Sequence, residues 1–313
     1  MRLIFCGSGT FAVPTLRALA ESQHELACVV TQPPRPAGRS RKCRPTPVAE
    51  AAGELQLDVC EFEDINSAEA VEHMRQAGAE AICVVDYGQF IARPVRELTP
   101  RGAFNLHASL LPKLRGAAPI NWAIIRGHRQ TGVTTFAIVR EMDAGPIYLQ
   151  RTTDIEPHET AEELRDRLAA MGAEVVLETV GLLTGGWAQP AEQDHSAATH
   201  APRLKKTDGV IDFSADAESI RNLIHGTCPW PGGQAEFQGE HKGRLRVVLA
   251  RAAVEEDTAG EQPGTVCDDL SVATGRGRLS VEAIKPAGGR LMQWRDFVNG
   301  YRVQRGDRFE TPA

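Results

Sequence analysis

The chain has 313 residues, of which 42% are hydrophobic and 24% are charged, and its formal net charge at pH 7 is −6. This length favours two domains, and the composition is ordinary for a soluble globular protein. The acidic balance argues against general nucleic-acid binding. The chain also lacks a signal peptide and any unbroken apolar run of about 18 residues, which favours a cytoplasmic protein.

Strand and helix signals alternate through the first two hundred residues. Short apolar runs predict strands at 2–6, 26–31, 58–62, 81–85, 103–106, 133–139 and 147–151. A 3.6-residue periodicity predicts helices at 13–22, 48–55, 67–77 and 160–183, and five prolines between positions 33 and 47 predict a loop. Alternation of this kind predicts an α/β fold with a mostly parallel sheet covered by helices.

The pattern changes after a polar segment that we interpret as a linker. A predicted helix at 217–226 is followed by short apolar runs at 234–237, 245–250, 264–268, 270–273 and 279–284. Several short strands with turn signals between them predict a small β-barrel or sandwich. We therefore predict a first domain over residues 1–188, a linker over 189–206 and a second domain over 207–313.

The cysteines and histidines show no metal-binding pattern. Seven cysteines are scattered without a Cys-x-x-Cys pair, and the nine histidines form no His-Glu-x-x-His motif. This spacing argues against a disulfide framework and against a zinc site, so we predict no metal.

The turn Gly7-Ser8-Gly9 resembles half of a dinucleotide-binding fingerprint. Ala12 replaces the third glycine, and the second predicted strand ends without an acidic residue to bind a ribose. We interpret the segment as a tight strand-to-helix turn without bound NAD.

Asn105 and His107 lie two residues apart at the end of a predicted strand, so their side chains point to the same side. Strand ends of a parallel sheet line the crevice where ligands bind. The amide can donate to an oxyanion that forms during acyl transfer, and the imidazole can stabilise the same charge or move a proton. The alternative is a turn-capping asparagine beside a histidine that is satisfied within the fold.

Asp143 lies in a turn with Gly145 and Pro146. Taken alone, this pattern predicts an Asx turn. If Asp143 lies beside His107, its carboxylate would favour the imidazolium and orient it.

A run of five cations contains no acidic residue: Arg35, Arg39, Arg41, Lys42 and Arg44. Such a run is either a solvated surface or a contact for an anion, and a phosphate-rich partner is its simplest use.

Together these motifs resemble the methionyl-tRNA formyltransferase family over nearly the whole chain. The motifs are Asn105-x-His107-x-Ser109-Leu110-Leu111-Pro112, Arg115-Gly116-Ala117-Ala118-Pro119, Met142-Asp143-x-Gly145, Pro229-Trp230-Pro231 and Lys285-Pro286-x-Gly288. The resemblance implies a Rossmann-like formyltransferase domain followed by an OB-fold-like domain. It also implies transfer of a formyl group from 10-formyltetrahydrofolate to the α-amino group of methionine on the initiator tRNA, by a monomer in the cytoplasm.

The resemblance also assigns roles to residues. It implies that Asn105, His107 and Asp143 are catalytic. It implies that the folate lies against Asp86, Tyr87, Gly88, Gln89, Ser109, Leu110, Leu111, Pro112 and Arg140. It implies that tRNA contacts Arg35, Arg39, Arg41, Lys42, Arg44, Lys205 and Lys206.

Three positions depart from the family pattern: Asp86 where alanine is usual, Cys228 where asparagine is frequent, and Gly289 where a lysine is expected. The alternatives are a formyltransferase acting on an amino-sugar nucleotide or on glycinamide ribonucleotide, a hydrolase of 10-formyltetrahydrofolate, and an inactive folate or RNA binder. The basic run and the second domain favour the tRNA enzyme over the other two acceptors. Formate release without an amine acceptor would identify the hydrolase, and the presence of Asn105, His107 and Asp143 argues against the inactive binder.

Overall fold

The structure, a computed structural model, describes residues 1–37, 42–241, 243–255 and 260–312. They form two compact units. The first, called here the N-terminal unit, comprises residues 1–116, 131–153 and 165–200. The second, called the C-terminal unit, comprises residues 117–130, 154–164 and 201–313.

A seven-stranded sheet forms the centre of the N-terminal unit. The strands up to residue 154 are β1 (Arg2–Gly7), β2 (Glu25–Thr31), β3 (Arg35–Ala37), β4 (Lys42–Arg44), β5 (Val59–Glu61), β6 (Ala81–Val85), β7 (Ala103–His107), β8 (Gln130–Ala137) and β9 (Ile147–Asp154). The sheet order is β5-β2-β1-β6-β7-β8-β9. The pairs from β5 to β7 are parallel, and β8 runs antiparallel to β7. The strand order reverses between β1 and β6, which creates a crevice at the carboxyl ends of the central strands.

Helices cover this sheet. They are α1 (Val13–Ala20), α2 (Pro47–Glu54), α3 (Ala68–Gln76), α4 (Arg93–Arg96) and α6 (Ala161–Gly185), whereas α5 (Pro119–Ile125) belongs to the C-terminal unit. Three of these helices start at hydroxyl caps, because Thr46 accepts from the backbone N–H of Ala49, Ser67 from that of Ala70 and Thr160 from that of Glu163. All five residues of β6 are buried, as expected for a central parallel strand that is covered on both faces.

By length and composition, α6 is apolar enough to cross a membrane, but half of its apolar window is buried inside the protein. The core helix of a soluble protein passes the same test, so this helix is weak evidence for a membrane segment.

The C-terminal unit is built around an antiparallel, barrel-like sheet. Its elements from residue 217 onward are α7 (Ala217–Gly226), β10 (Gly233–Gly239), β11 (Gly243–Glu255), β12 (Val272–Ala273), β13 (Arg278–Pro286), β14 (Met292–Gln293), α8 (Trp294–Tyr301) and β15 (Arg308–Glu310). The sheet order is β12-β13-β11-β10-β15, and β14 pairs with β13. Phe237, Phe297 and Phe309 are buried at its centre together with aliphatic side chains of α7.

The structure confirms the predicted mostly parallel sheet, the four helices predicted in the first two hundred residues and the β-rich C-terminal region. The prediction of a loop over 33–47 is wrong in part, because β3 and β4 form a hairpin there with Pro36 opposite Cys43. A hairpin this short needs few ladder bonds and accepts a proline at its edge. The predicted strand at 264–268 is also wrong, since that segment makes only isolated bridges.

The helices α4, α5 and α8 were not predicted. The first two are short and begin with a proline in their first turn, and α8 contains Gly300, which weakens a helical pattern. The strands β14 and β15 have only two and three residues, so they carry too little alternation to be recognised.

Candidate active site

Asn105 and His107 project from the carboxyl-terminal half of β7. Asn105 is half-buried, and within the described part of the chain no residue forms a hydrogen bond with its side-chain amide. His107 is buried, with its ring edge-on to Phe136 on the neighbouring strand β8. The strand therefore presents one amide that is free for a ligand and one imidazole that is fixed by the fold.

The two ring nitrogens of His107 have different surroundings. Nε2 lies 2.9 Å from the carbonyl oxygen of Leu114, which can only accept, so Nε2 carries a proton and donates it. Nδ1 lies 3.9 Å from Oδ2 of Asp143. This distance is too long for a direct hydrogen bond, but it leaves Nδ1 facing a carboxylate and available for proton exchange.

Asp143 is held by a distant part of the chain. Its Oδ2 accepts a hydrogen bond of 2.8 Å from the backbone N–H of Gly116, and its own backbone is left-handed, with φ of 52°. Position 145 requires a glycine, because a Cβ there would lie 1.8 Å from the carbonyl oxygen of Ala137. The carboxylate therefore accepts its hydrogen bond from the distant Gly116, whereas in an Asx turn it would accept from a backbone N–H two residues along its own turn.

The turn Ser109–Pro112 is stabilised by hydrogen bonds to neighbouring residues. The Ser109 hydroxyl donates to the Lys113 carbonyl at 2.7 Å, and the Thr134 hydroxyl donates to the Ser109 carbonyl at 2.6 Å. Gln150 donates to the Leu111 carbonyl at 2.7 Å, and the Leu111–Pro112 peptide bond is cis. The three hydrogen bonds fix the path of the chain toward Leu114, whose carbonyl orients His107.

A buried amide supports the same site from the segment that the sequence assigned to a linker. The Gln193 side chain donates to the carbonyls of Asp143 at 2.9 Å and Gly145 at 2.7 Å, and it accepts from the Arg115 guanidinium at 2.6 Å. Arg115 also donates to Nδ1 of His195 at 3.1 Å. Sequence reasoning missed Gln193, because one glutamine in a polar segment carries no periodicity. Arg115 was noticed only as part of a family motif.

The segment predicted to hold folate follows β6. Tyr87 is buried, and its hydroxyl has no partner among the described residues. It packs in one apolar cluster with Ile91 and with Ile138, which follows β8. The segments after β6 and β8 are therefore neighbours. Gln89 is used within the fold, since its side chain accepts from the Ile65 N–H and donates to the Glu63 carbonyl.

Asp86 has a left-handed backbone with φ of 46°, and its carboxylate lies directly over Gly9, where a Cβ would be 1.8 Å from Oδ2. Loss of solvation on burial raises the pKa of Asp86 to about 6, although a hydrogen bond from the Phe11 backbone and the charge of Arg165 oppose that shift. The residue still has an exposed edge. Its carboxylate thus occupies the glycine turn at which a dinucleotide phosphate would bind.

The remaining predicted folate contacts differ in exposure. Ser109 and Leu111 are buried, Leu110 and Pro112 are half-buried, and Gly88 and Arg140 are exposed. The structure thus leaves Gly88 and Arg140 accessible and places Ser109 inside the turn.

The predicted tRNA contacts are only partly described. Arg35 and Arg44 face each other across the β3–β4 hairpin, and both are exposed. No described residue forms an ion pair with either of them. Arg39 and Arg41 lie outside the described residues, as does the side chain of Lys42. Lys205 and Lys206 are exposed at the start of a short 3-10 turn in the C-terminal unit.

Within the described ranges, no group of three or more His, Cys, Asp or Glu side chains is arranged to hold a metal ion.

Similarity to known proteins establishes the family of this chain. The model of the formyl transferase family matches residues 1–180, and that of the formyl transferase C-terminal domain matches residues 203–302. A methionyl-tRNA formyltransferase of Solibacter usitatus (strain Ellin6076) is 43% identical over 312 residues, which is 98% of each chain. The chain belongs to the methionyl-tRNA formyltransferase family. The predicted family is therefore confirmed.

Two further comparisons agree. The methionyl-tRNA formyltransferase of Geotalea daltonii (strain DSM 22248 / JCM 15807 / FRC-32) is 38% identical over 306 residues, covering 98% of this chain and 97% of the relative. HypX from Aquifex aeolicus, in complex with tetrahydrofolic acid, superposes with a TM-score of 0.64 at 18% identity, covering 96% of this chain and 47% of that chain. The likeness to HypX supports the fold alone, and the two-part fold expected for the family is confirmed.

Proposed function

We propose that this member of the family transfers the formyl group of 10-formyltetrahydrofolate to the α-amino group of methionine on initiator tRNA, which prepares that tRNA for translation initiation. The observation that carries the proposal is the juxtaposition of three groups: an Asn105 amide that no described residue binds, a fixed His107 imidazole and the Asp143 carboxylate 3.9 Å from that imidazole. The reaction and the acceptor are supported by the two methionyl-tRNA formyltransferases that match over nearly their whole length.

The residues at the crevice fit a folate donor. A pterin ring needs an apolar surface and hydrogen-bonding groups at its edge. Phe90 and Met142 are exposed apolar side chains on the two neighbouring segments after β6 and β8, and the Tyr87 hydroxyl lacks a partner among the described residues. When bound, the folate supplies the formyl group. We propose that the predicted folate residues hold it chiefly through backbone groups of 86–89 and 140–143.

Asn105 is proposed to bind the formyl oxygen. The attack of an amine on a formyl carbon moves negative charge onto that oxygen, and a fixed N–H donor stabilises it as the charge grows. The Asn105 amide can serve because it has no competing hydrogen bond among the described residues.

His107 is proposed to act through Nδ1. Its Nε2 proton is committed to the Leu114 carbonyl, which keeps the ring in one orientation and leaves Nδ1 to exchange a proton. The attacking amine must lose a proton, and the leaving nitrogen of the donor must gain one. The Asp143 carboxylate can balance the positive charge while the proton resides on Nδ1, and its hydrogen bond from Gly116 keeps it in place.

The acceptor is proposed to contact the basic residues of both units: Arg35, Arg39, Arg41, Lys42 and Arg44 in the first, Lys205 and Lys206 in the second. Exposed cations bind phosphates by releasing counterions, and Arg35, Arg44, Lys205 and Lys206 are exposed. We also propose domains at 1–188 and 207–313 joined by 189–206, a monomeric state, no membrane association and a cytoplasmic location, as expected for an enzyme of translation.

A direct assay tests this function. Purified protein is incubated with 10-formyltetrahydrofolate and methionyl-tRNA, uncharged tRNA, free methionine, glycinamide ribonucleotide or an amino-sugar nucleotide. We expect formylation of methionyl-tRNA alone. Faster formylation of a small-molecule amine would favour that rival acceptor, and stoichiometric formate release without any amine would identify a hydrolase.

A further inference from the structure

Two cysteines and a histidine from three elements meet at the edge of the parallel sheet, away from the candidate active site. Cys28 lies on β2, Cys60 on the edge strand β5, and His73 in the last turn of α3. Sγ of Cys60 lies 3.0 Å from Nε2 of His73. Cys60 is half-buried, Cys28 is buried, and both are free thiols. The formyl-transfer chemistry uses none of these groups.

The surroundings of Cys60 favour its thiolate. A hydrogen bond from the Cys28 thiol is the main cause that lowers the pKa of Cys60 from 9.0 to about 6, and His73 contributes through charge and a hydrogen bond. Burial and the carboxylate of Asp58 oppose this shift. The same cluster raises the pKa of Cys28, and burial raises that of the nearby Cys6, so the thiolate charge is concentrated on Cys60.

Access separates Cys60 from its neighbours. Cys6, Cys28 and Cys83 are buried in the sheet, where a thiol behaves as a small apolar side chain. Cys60 lies on the three-residue outer strand of the sheet order and keeps part of its surface in solvent, and His73 is exposed beside it. A low-pKa thiol with solvent access and a histidine in contact is the arrangement that makes cysteines reactive.

We propose that Cys60 is a modification site: a nucleophilic thiol, paired with His73 and supported by the Cys28 thiol, that hydroperoxides oxidise to a sulfenic acid.

The step balances without any other reactant. The Cys60 thiolate attacks one oxygen of the hydroperoxide, a sulfur–oxygen bond forms and the oxygen–oxygen bond breaks. Sulfur loses two electrons, the peroxide gains them, and the departing alkoxide or hydroxide takes the proton that His73 received from the thiol.

The expected rate advantage at neutral pH is moderate. A thiol with a pKa of about 6 is about 90% thiolate at pH 7, whereas one at 9.0 is about 1% thiolate. A thiolate of lower pKa is also a weaker nucleophile. With a Brønsted slope of about 0.45, the rate constant of the thiolate falls roughly twentyfold between a pKa of 9.0 and a pKa of about 6. The net advantage is therefore about fivefold at pH 7. The clearer signature is the pH profile, which should level off above about pH 7.

The test treats the full-length protein with hydrogen peroxide in the presence of a 1,3-diketone that traps sulfenic acids, and follows each cysteine by peptide mass spectrometry from pH 5 to 9. Cys43, which is exposed on β4, is the internal control. We expect Cys60 to be trapped faster than Cys43 at pH 7, although it is less exposed. A Cys60 rate equal to or below that of Cys43 would overturn the proposal.

Two variants probe the partners. His73→Gln keeps a polar side chain at an exposed position, so the fold should persist. We expect the midpoint of the Cys60 profile to move toward higher pH and the rate at pH 6 to fall severalfold. The control His24→Gln, in the same unit but outside the cluster, should leave the profile unchanged. Cys28→Ala should also raise the midpoint, while Cys28→Ser, which retains a donor, should restore it in part. An unchanged profile in His73→Gln contradicts the pairing whatever the outcome for Cys28.

Discussion

The candidate site in the N-terminal unit and the core of the C-terminal unit are stabilised in opposite ways. At the site, Asp143 and Gln193 form hydrogen bonds with backbone groups 27 and 50 positions away, and His107 forms one with the carbonyl of Leu114 in the following turn. In the C-terminal unit, Phe237 packs against Phe297 with ring centroids 5.3 Å apart and against Phe309 at 5.2 Å. The first arrangement fixes directions, and the second removes apolar surface from water.

This difference has an energetic meaning. A hydrogen bond contributes only about 1 kcal/mol net to folding, because water offers an equivalent bond to the unfolded chain, but it orients its partners sharply. Burying an aromatic side chain contributes several kcal/mol and tolerates small changes in angle. We therefore expect substitutions at the site to reduce turnover more than stability, and substitutions in the C-terminal core to do the reverse.

The largest effect is expected from His107→Ala. Loss of the group that exchanges protons beside Asp143 should reduce kcat/KM for methionyl-tRNA by about 10²- to 10⁴-fold, equivalent to about 3 to 5 kcal/mol of transition-state stabilisation. Stability should fall by only about 1 to 3 kcal/mol, since the buried Leu114 carbonyl loses its donor. Steady-state kinetics and urea unfolding measure the two effects separately.

The matched control is His241→Ala, an exposed position in the C-terminal unit. It should leave both quantities within error of the parent protein. Near-normal turnover of His107→Ala would remove His107 from the mechanism.

Phe297→Ala should invert this pattern. The ring is fully buried and stacks on Tyr301 with a centroid distance of 4.2 Å. Its truncation should lower the free energy of unfolding by about 3 to 5 kcal/mol. Turnover per folded molecule should change little. Trp187→Ala, at a position with 74% exposure, is the control and should cost under about 0.5 kcal/mol. A purely catalytic defect in Phe297→Ala would contradict the division between the two regions.

The C-terminal unit contains a buried histidine whose charge state affects folding. His225 on α7 is buried and accepts from the backbone N–H of Ala252 at 3.2 Å. Burial lowers the pKa of His225 from 6.5 to about 4, and the charges of Arg221 and Arg251 add to the effect. His225 therefore takes up a proton near pH 6.5 in the unfolded chain but only near pH 4 in the folded chain.

Stability of the C-terminal unit should accordingly fall as the pH decreases from 6.5 to 4, by about 3 kcal/mol at most. The stability contributed by neutral His225 is fully present above pH 6.5. His225→Gln keeps an acceptor for Ala252 and should remove this part of the pH dependence, which chemical denaturation at several pH values can measure. If the difference between parent and variant is constant between pH 4 and 7, His225 does not titrate as described.

The sequence predicts the two regions to different extents, for a physical reason. The pairing of Asn105 and His107 on one face of a strand follows from the two-residue period of strands, so spacing alone indicates it. The approach of Asp143 to His107 depends on Gly116 and on a buried Gln193, which lies 50 positions beyond Asp143. Local patterns contain no information on such long-range hydrogen bonds, and only the resemblance to a family indicated that Asp143 belongs to the site.

The C-terminal unit was predicted as β-rich, but its limits were less accurate. β11 and β13 are longer than predicted, because their ladders continue through register shifts around Arg251. α8 was missed although it supplies Phe297 to the core. A single buried aromatic in an eight-residue helix gives too short a periodic signal for recognition.

The smallest effect is expected at the hairpin. Arg35→Ala and Arg44→Ala should each raise KM for methionyl-tRNA about three- to tenfold, equivalent to about 1 kcal/mol, because each removes one exposed cation from the proposed phosphate contact. The slope of log affinity against log salt should decrease by about 0.7 to 0.9 per arginine, while KM for the folate stays constant. Arg101→Ala, another exposed arginine of the same unit, is the control. An equal loss of folate affinity would place the hairpin at the donor side of the site, whereas a loss confined to tRNA would show that the hairpin, like the aromatic core, lies outside the chemistry that His107 performs.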